Sequence, residues 1–247
     1  MRQIIGVLGG MGPAATADFY QKIIRATPAN VDQDHLPVLI YSNPQIPDRT
    51  AAIRGEGSDI VPALVETAEA LVRAGATFLT IPCVTAHAFF EPLQRAIPIP
   101  ILHLVDETAT TLLTERPSLR RLGLLATTGT IESRLFPARF EPRGLTVLTC
   151  DPEIQADKVM AAIYGIKGAG TLEQSRALIQ EAGRHLIAKG AEVIVAGCTE
   201  VPLILQDGDL PVPVIDATWV LAQAAVRRAL GQERRPRASQ RCYKDGG

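Results

Sequence analysis

The chain has 247 residues, of which 47% are apolar and 21% charged, and a formal net charge of −1. These values suit one large globular domain or two half-size lobes and exclude the basic footprint of a nucleic-acid or membrane-surface binder. No apolar run reaches the ~18 residues of a membrane span, and the short apolar start runs into glycines like a first buried strand rather than a secretory signal, so a cytoplasmic protein with reduced thiols is expected.

In chain order, residues 4–8 read as a strand and 14–26 as a helix, joined by Gly9-Gly10-Met11-Gly12-Pro13. That turn is neither a dinucleotide fingerprint nor a P-loop. It suits a tight strand-to-helix connection with Pro13 near the helix start, and equally a set of backbone N–H groups aimed at an anion. Residues 37–42 form the next strand. The loop Asn43-Pro44-Gln45-Ile46-Pro47-Asp48-Arg49-Thr50 follows it, and its two prolines stiffen a platform for Arg49. A guanidinium so placed is either a surface charge or a bidentate carboxylate binder. Residues 59–74 give an amphipathic helix with Ile60, Leu64, Ala68 and Leu71 on one face. A strand at 78–81, a helix at 86–96 and a strand at 99–104 complete the first half. The second half reads as strands at 121–126 and 145–150, a helix at 172–189, strands at 192–196 and 212–215, and a closing helix at 217–230. Strands alternating with helices of this length indicate an α/β fold of parallel sheets flanked by helices. The polar, basic residues 232–247 are expected to form a disordered tail.

Three segments of the first half recur in order in the second. Gly6-Val7-Leu8-Gly9-Gly10-Met11-Gly12-Pro13 matches Gly123-Leu124-Leu125-Ala126-Thr127-Thr128-Gly129-Thr130. The run from Gly75 to Thr85 matches the run from Gly190 to Glu200, and Ile97-Pro98-Ile99-Pro100 matches Leu210-Pro211-Val212-Pro213. Repetition at a nearly constant offset marks a duplicated half-domain. It predicts two pseudo-symmetric lobes, one formed by 1–104 and 216–231, the other by 105–215, with a cleft between them. Cys83 in the first lobe and Cys198 in the second each stand just past an apolar run, where a parallel strand meets its loop. Open α/β sheets bind ligands at that edge. Two thiols facing each other across a cleft suit proton transfer on opposite faces of one carbon.

Other residues carry two readings. Lys167 lies between Gly165 and Gly168 and is either a solvated charge or, with lobes facing each other, a partner to Arg49 in holding two carboxylates. Thr85, Thr127 and Thr199 suit helix caps and anion binding alike. His87, four residues after Cys83, suggests a hydrolytic Cys–His pair or a supporting role behind the thiol; the duplicate position carries no histidine, which favours the second. No zinc-binding spacing occurs among the four cysteines; Cys150 reads as a structural thiol and Cys242 as incidental.

The motifs Val7–Pro13, Asn43–Thr50, Pro82–His87, Leu125–Thr130 and Ala196–Val201, in this order, resemble the pyridoxal-independent aspartate/glutamate racemases, closest to the aspartate racemase branch. The resemblance implies two similar α/β lobes with the active site between them, a homodimer, and no cofactor. It implies that Cys83 and Cys198 are the catalytic acid–base pair. It also implies substrate contacts from Met11, Asp48, Arg49, Val84, Thr85, Ala86, Thr127, Lys167 and Thr199, with Arg49 and Lys167 on carboxylates. The expected activity is racemisation of a small, aspartate-like amino acid. Diacid decarboxylation or isomerisation, or ligand binding without activity, are the alternatives. One departure stands out: the family usually carries Asn after the first catalytic cysteine, and this chain has Val84. Glu200 matches the aspartate branch, where glutamate racemases usually have His.

Overall fold

The central strands decide the architecture. β1 (Ile5–Gly9), β3 (Phe78–Thr80) and β7 (Val193–Ala196) are buried at every position, and β5 (Arg121–Leu125) at all but its first. A strand buried on both faces needs cover on both, which is the condition of a parallel α/β sheet. The computed structural model describes residues 3–168 and 170–232. In it β1 pairs in parallel with β2 (Val38–Ser42) and β3, and β3 pairs with β4 (Ile101–Leu102). The second half repeats this with β5 between β6 (Thr146–Leu148) and β7, and β8 (Val214–Asp216) beside β7. The strand orders, β2-β1-β3-β4 and β6-β5-β7-β8, are the same. The expected α/β fold of two like sheets is the fold observed.

The duplication extends to register. Gly6 lies opposite Leu79 in the first sheet, and Gly123 opposite Ile194 in the second. A Cβ at Gly6 would sit 2.5 Å from Leu79 Cδ2, and one at Gly123 would sit 2.7 Å from Ile194 Cδ1. Both glycines make room for a neighbouring side chain to cross the strand. Alternation along the strands sorts the apolar residues into three cores. Ile5, Val7 and Phe78 of the first sheet share a core with Leu122, Leu124, Val193 and Val195 of the second. α1 (Pro13–Ala26), α5 (Leu104–Glu115) and α11 (Ala217–Ala229) contribute to this same core. Leu8 and Leu79 face an outer core under α3 (Val61–Arg73), and Ile194 and Ala196 face one under α10 (Leu172–Ala188).

The chain is more helical than its pattern indicates. α5 begins at the expected lobe boundary, and the expected strand at 99–104 shortens to two residues because His103 caps that helix, its Nδ1 accepting the Asp106 N–H at 3.3 Å. α2 (Arg49–Arg54) starts inside the expected loop, with Asp48 Oδ1 accepting the Ala51 N–H at 2.8 Å. The helix expected at 86–96 opens as a 3-10 turn over Thr85–Phe89 and becomes α4 (Phe90–Ala96). Two short helices, α6 (Thr128–Glu132) and α7 (Leu135–Phe140), follow β5. A longer run comprises α8 (Pro152–Ile154), a π-helical stretch over Gln155–Met160, and α9 (Ala161–Lys167). The expected tail lies outside the described residues, apart from Gln232.

The last helix is fastened to the first by a buried cation. α11 packs on α1 and α5. Lys22 on α1 is only 4% exposed, and its Nζ lies 2.5 Å from Asp18 Oδ2 and 2.6 Å from Asp216 Oδ2 while donating to Thr218 Oγ1 at 2.7 Å. Asp216 also caps α11, its Oδ1 accepting the N–H groups of Thr218 and Trp219. Replacing Lys22 with Met leaves two carboxylates facing each other without a cation. Their side chains are 21% and 23% exposed, so water offsets part of the 3–5 kcal/mol typical of a broken, fully buried pair. A loss of about 2–3 kcal/mol is expected, measured as a lower urea midpoint at unchanged slope.

Candidate active site

In the order β2-β1-β3-β4 the chain leaves β1 toward opposite edges, which makes the carboxyl ends of β1 and β3 the switch point where ligands bind. The same holds for β5 and β7. Loops from all four strand ends meet at one cavity. Met11 comes from the turn after β1, held there by Gly10, whose φ of +95° favours glycine and where a Cβ would lie 2.3 Å from the Asn43 backbone. Asp48 and Arg49 come from the start of α2, Cys83, Val84 and Thr85 from the loop after β3, and Thr127 from the loop after β5. Cys198 and Thr199 follow β7, and Lys167 ends α9. Of the candidate residues only Ala86 is absent from the cavity wall: the 3-10 turn directs it into the outer core of the first sheet, where it is fully buried.

Five wall residues were not among the candidates: Thr50, Met160, Ile163, Tyr164 and Glu200. Met160, Ile163, Tyr164 and Lys167 stand three, four and seven apart and so occupy one helical face, a spacing present in the sequence. That face is anchored where Thr128 N–H donates to Met160 Sδ at 3.3 Å, and where Gln155 Nε2 donates to the Ala126 carbonyl at 3.0 Å.

Hydrogen bonds across the halves fix the loops. The hydroxyls of Thr85, Thr127 and Thr130 form a buried triangle with sides of 2.9, 3.0 and 3.0 Å. It joins the loop after β3 to the start of α6. Nearby, a Cβ on Gly129 would lie 2.7 Å from Thr50 Oγ1, so α6 and α2 approach closely, and Arg54 clasps Glu132 with bonds of 2.9 and 2.7 Å. Arg49 is folded back on its own loop: Nη1 donates to the carbonyls of Ile46 and Pro47 at 3.1 and 2.8 Å. Those bonds orient the guanidinium.

His87 supports the first thiol through its backbone. Its Nε2 accepts the Leu104 N–H at 3.1 Å, so Nδ1 carries the proton and donates to the Cys83 carbonyl at 2.9 Å. Burial, with the neighbouring His103, holds its pKa down to about 3, and the ring stays neutral. Both ring nitrogens are engaged with backbone groups, which removes the hydrolytic Cys–His reading and leaves the supporting role.

The second thiol sits in a charged network. Cys198 Sγ donates to Glu200 Oε2 at 2.9 Å, Thr199 Oγ1 donates to the same oxygen at 3.1 Å, and Lys167 Nζ lies 3.6 Å from Oε1. Glu200 is 3% exposed. Burial, then the Glu200 charge, push the Cys198 thiol well above the ordinary thiol range, with Lys167 opposing. Burial, with the Arg49 charge, would depress the Lys167 ammonium, but the anionic groups of the cleft, Glu200 first, outweigh them and the net direction is upward. Cys150 is remote from the cavity; its buried thiol is pushed up to about 11 and lies 3.8 Å from the Ala182 carbonyl. Cys242 lies outside the described residues. Among the described residues no cluster of three or more His, Cys, Asp or Glu is placed to hold a metal ion, and no helix is long and apolar enough to cross a membrane.

The family model of the Asp/Glu/hydantoin racemases matches residues 8–225. The chain belongs to that family. Among the proteins it is similar to is the broad specificity amino-acid racemase RacX of Bacillus subtilis, 30% identical over 236 residues that cover 93% of this chain and all of RacX. The Picrophilus torridus aspartate racemase superposes with a TM-score of 0.83 at 28% identity, covering 92% of this chain and 94% of its own. A putative Asp/Glu racemase from Yersinia pestis superposes with a TM-score of 0.76 at 29% identity, covering 92% and 99%.

The Glu200 contact can be tested directly. In a background with Cys83, Cys150 and Cys242 all changed to Ser, Glu200→Gln removes the carboxylate charge that, with burial, raises Cys198, so the thiolate forms at lower pH. Ultraviolet thiolate absorbance followed across pH checks this; an unchanged midpoint would mean the carboxylate does not act on the thiol.

Proposed function

We propose that the protein is a cofactor-independent amino-acid racemase in which Cys83 and Cys198 act as the acid–base pair. The observation that carries this reading is the meeting of two thiols, each one loop past the equivalent strand of a duplicated sheet, on the wall of one cavity. One thiolate takes the Cα proton, and the opposite thiol delivers its own proton to the other face. The roles then stand exchanged, which suits a reaction that must run in both directions. Cys198, held protonated by burial and Glu200, begins as the proton donor. Cys83 is then the base, its main chain held by His87.

The Cα proton is weakly acidic, so charge developing on the substrate needs preorganised stabilisation. At the strand ends the hydroxyl protons of Thr85, Thr127 and Thr199 are given to one another, to Thr130 and to Glu200, so the α-carboxylate accepts from one of them by taking the place of its present acceptor, while Arg49 and Lys167 face the side chain. Asp48, Arg49, Lys167 and Glu200 give the wall two charges of each sign, a balance that accepts a net-neutral zwitterion without cost in net charge. An aspartate-like side chain is served by the two cations. Val84, Met11, Met160 and Ile163 supply the apolar remainder of the wall and widen the substrate range beyond aspartate.

Two measurements test this reading. Cys83→Ser and Cys198→Ser are each expected to abolish racemisation, read with deuterium exchange at Cα in heavy water; retention of the parent rate by either variant overturns the two-thiol assignment. Arg49→Ala is expected to lower kcat/KM for aspartate at least tenfold more than for alanine, because only aspartate presents a second carboxylate. Equal losses would place Arg49 on the α-carboxylate instead.

A further inference from the structure

The cavity between the cysteines has a volume of about 20 Å³, the room of roughly one water molecule. A substrate whose Cα lies between the thiols therefore has to send its side chain out through a wall. One wall is shared with a larger space. Met11, Arg49, Lys167 and Glu200 also line a groove of about 410 Å³, bounded further out by Pro13 and Ala14 at the start of α1, by Pro44 and by Ile166 on α9. These four side chains are lining of both spaces. Beyond Arg49, Lys167 and Glu200 the groove has no charged lining, and Lys167 and Glu200 already balance each other at 3.6 Å. An acidic side chain stops at the cations. A flexible neutral chain has no charge to satisfy there and gains apolar contact by continuing outward.

We propose that this groove is a side-chain subsite for amino acids with straight, neutral side chains of three or more carbons. The stem passes the Lys167–Glu200 pair and packs against Ala14, Pro44 and Ile166. The assignment rests on the two-thiol reading for where Cα sits, and it adds a class of substrate that the cations alone do not select.

The test compares norleucine with alanine, by calorimetric binding and by kcat/KM of racemisation. Three added methylenes against a half-open apolar wall predict a preference for norleucine on the order of tenfold. Ala14→Phe fills the groove from an exposed position in the first turn of α1, and Ile166→Phe fills it from the opposite side. Each is expected to bring the ratio close to one, while Ala14→Ser, which adds little volume, keeps it. Circular dichroism confirms that the variants fold. A parent ratio near one, or a ratio unchanged in both Phe variants, overturns the subsite. If the binding ratios behave as stated and no amino acid exchanges its Cα proton, the subsite stands and the two-thiol reading fails.

Discussion

Strands buried on both faces are the constraint from which the rest of this structure follows. Ile5, Val7 and Phe78 turn one way from the first sheet and Leu8 and Leu79 the other, and neither set can meet water. The second sheet has the same requirement, and the two solve it jointly by sharing one core with α1, α5 and α11. That shared core is large and apolar, so the halves are not beads on a linker. Joining them in this way brings the loops beyond β1, β3, β5 and β7 to one cavity. A site built from both halves is then a by-product of covering both faces of both sheets.

The symmetry of the scaffold is not carried into the chemistry around each thiol. Cys83 is held through its carbonyl by a neutral imidazole that reaches the first N–H of α5. Cys198 is held through its sulfur by a buried carboxylate that also faces an ammonium. One support acts on position and the other on charge. The two strand ends are equivalent in the fold, but one half carries the guanidinium and the other the Lys167–Glu200 pair.

Much of this was legible in the sequence, for identifiable reasons. Strand ends were legible because parallel strands are short apolar runs closed by Gly, Pro and Thr, and the repeat showed three of the four in each sheet twice. α5 was hidden by its threonines, which are stiff at χ1 and compete for backbone bonds. In the structure Thr108 and Thr114 spend their hydroxyls on the carbonyls of Leu104 and Thr110, four residues back, and the helix tolerates them. The run from α8 to α9 was hidden differently. Its helical spacing from Met160 to Lys167 is short and follows a π-helical stretch with no such period, and Gly165 and Gly168 imitate a loop. Lys167 was therefore placed in the site by resemblance, whereas its helix neighbours Met160, Ile163 and Tyr164 went unseen. Ala86 was likewise named by resemblance, and the 3-10 turn places it in the outer core of the first sheet instead of on the cavity wall.

The two histidines at the head of α5 make the fold vulnerable to acid. His87 is held down to about 3 by burial and by His103, and His103 to about 4 by burial and Arg139. Once unfolded, each returns to the ordinary histidine value near 6.5 and binds a proton there. Below that value the unfolded chain takes up protons that the native chain refuses, so stability falls with pH, by up to about 1.4 kcal/mol per unit for each ring, until the native value is reached. The groups that hold the Cys83 carbonyl to the start of α5 are thus an acid-labile joint, whose protonation releases the anchor of one thiol.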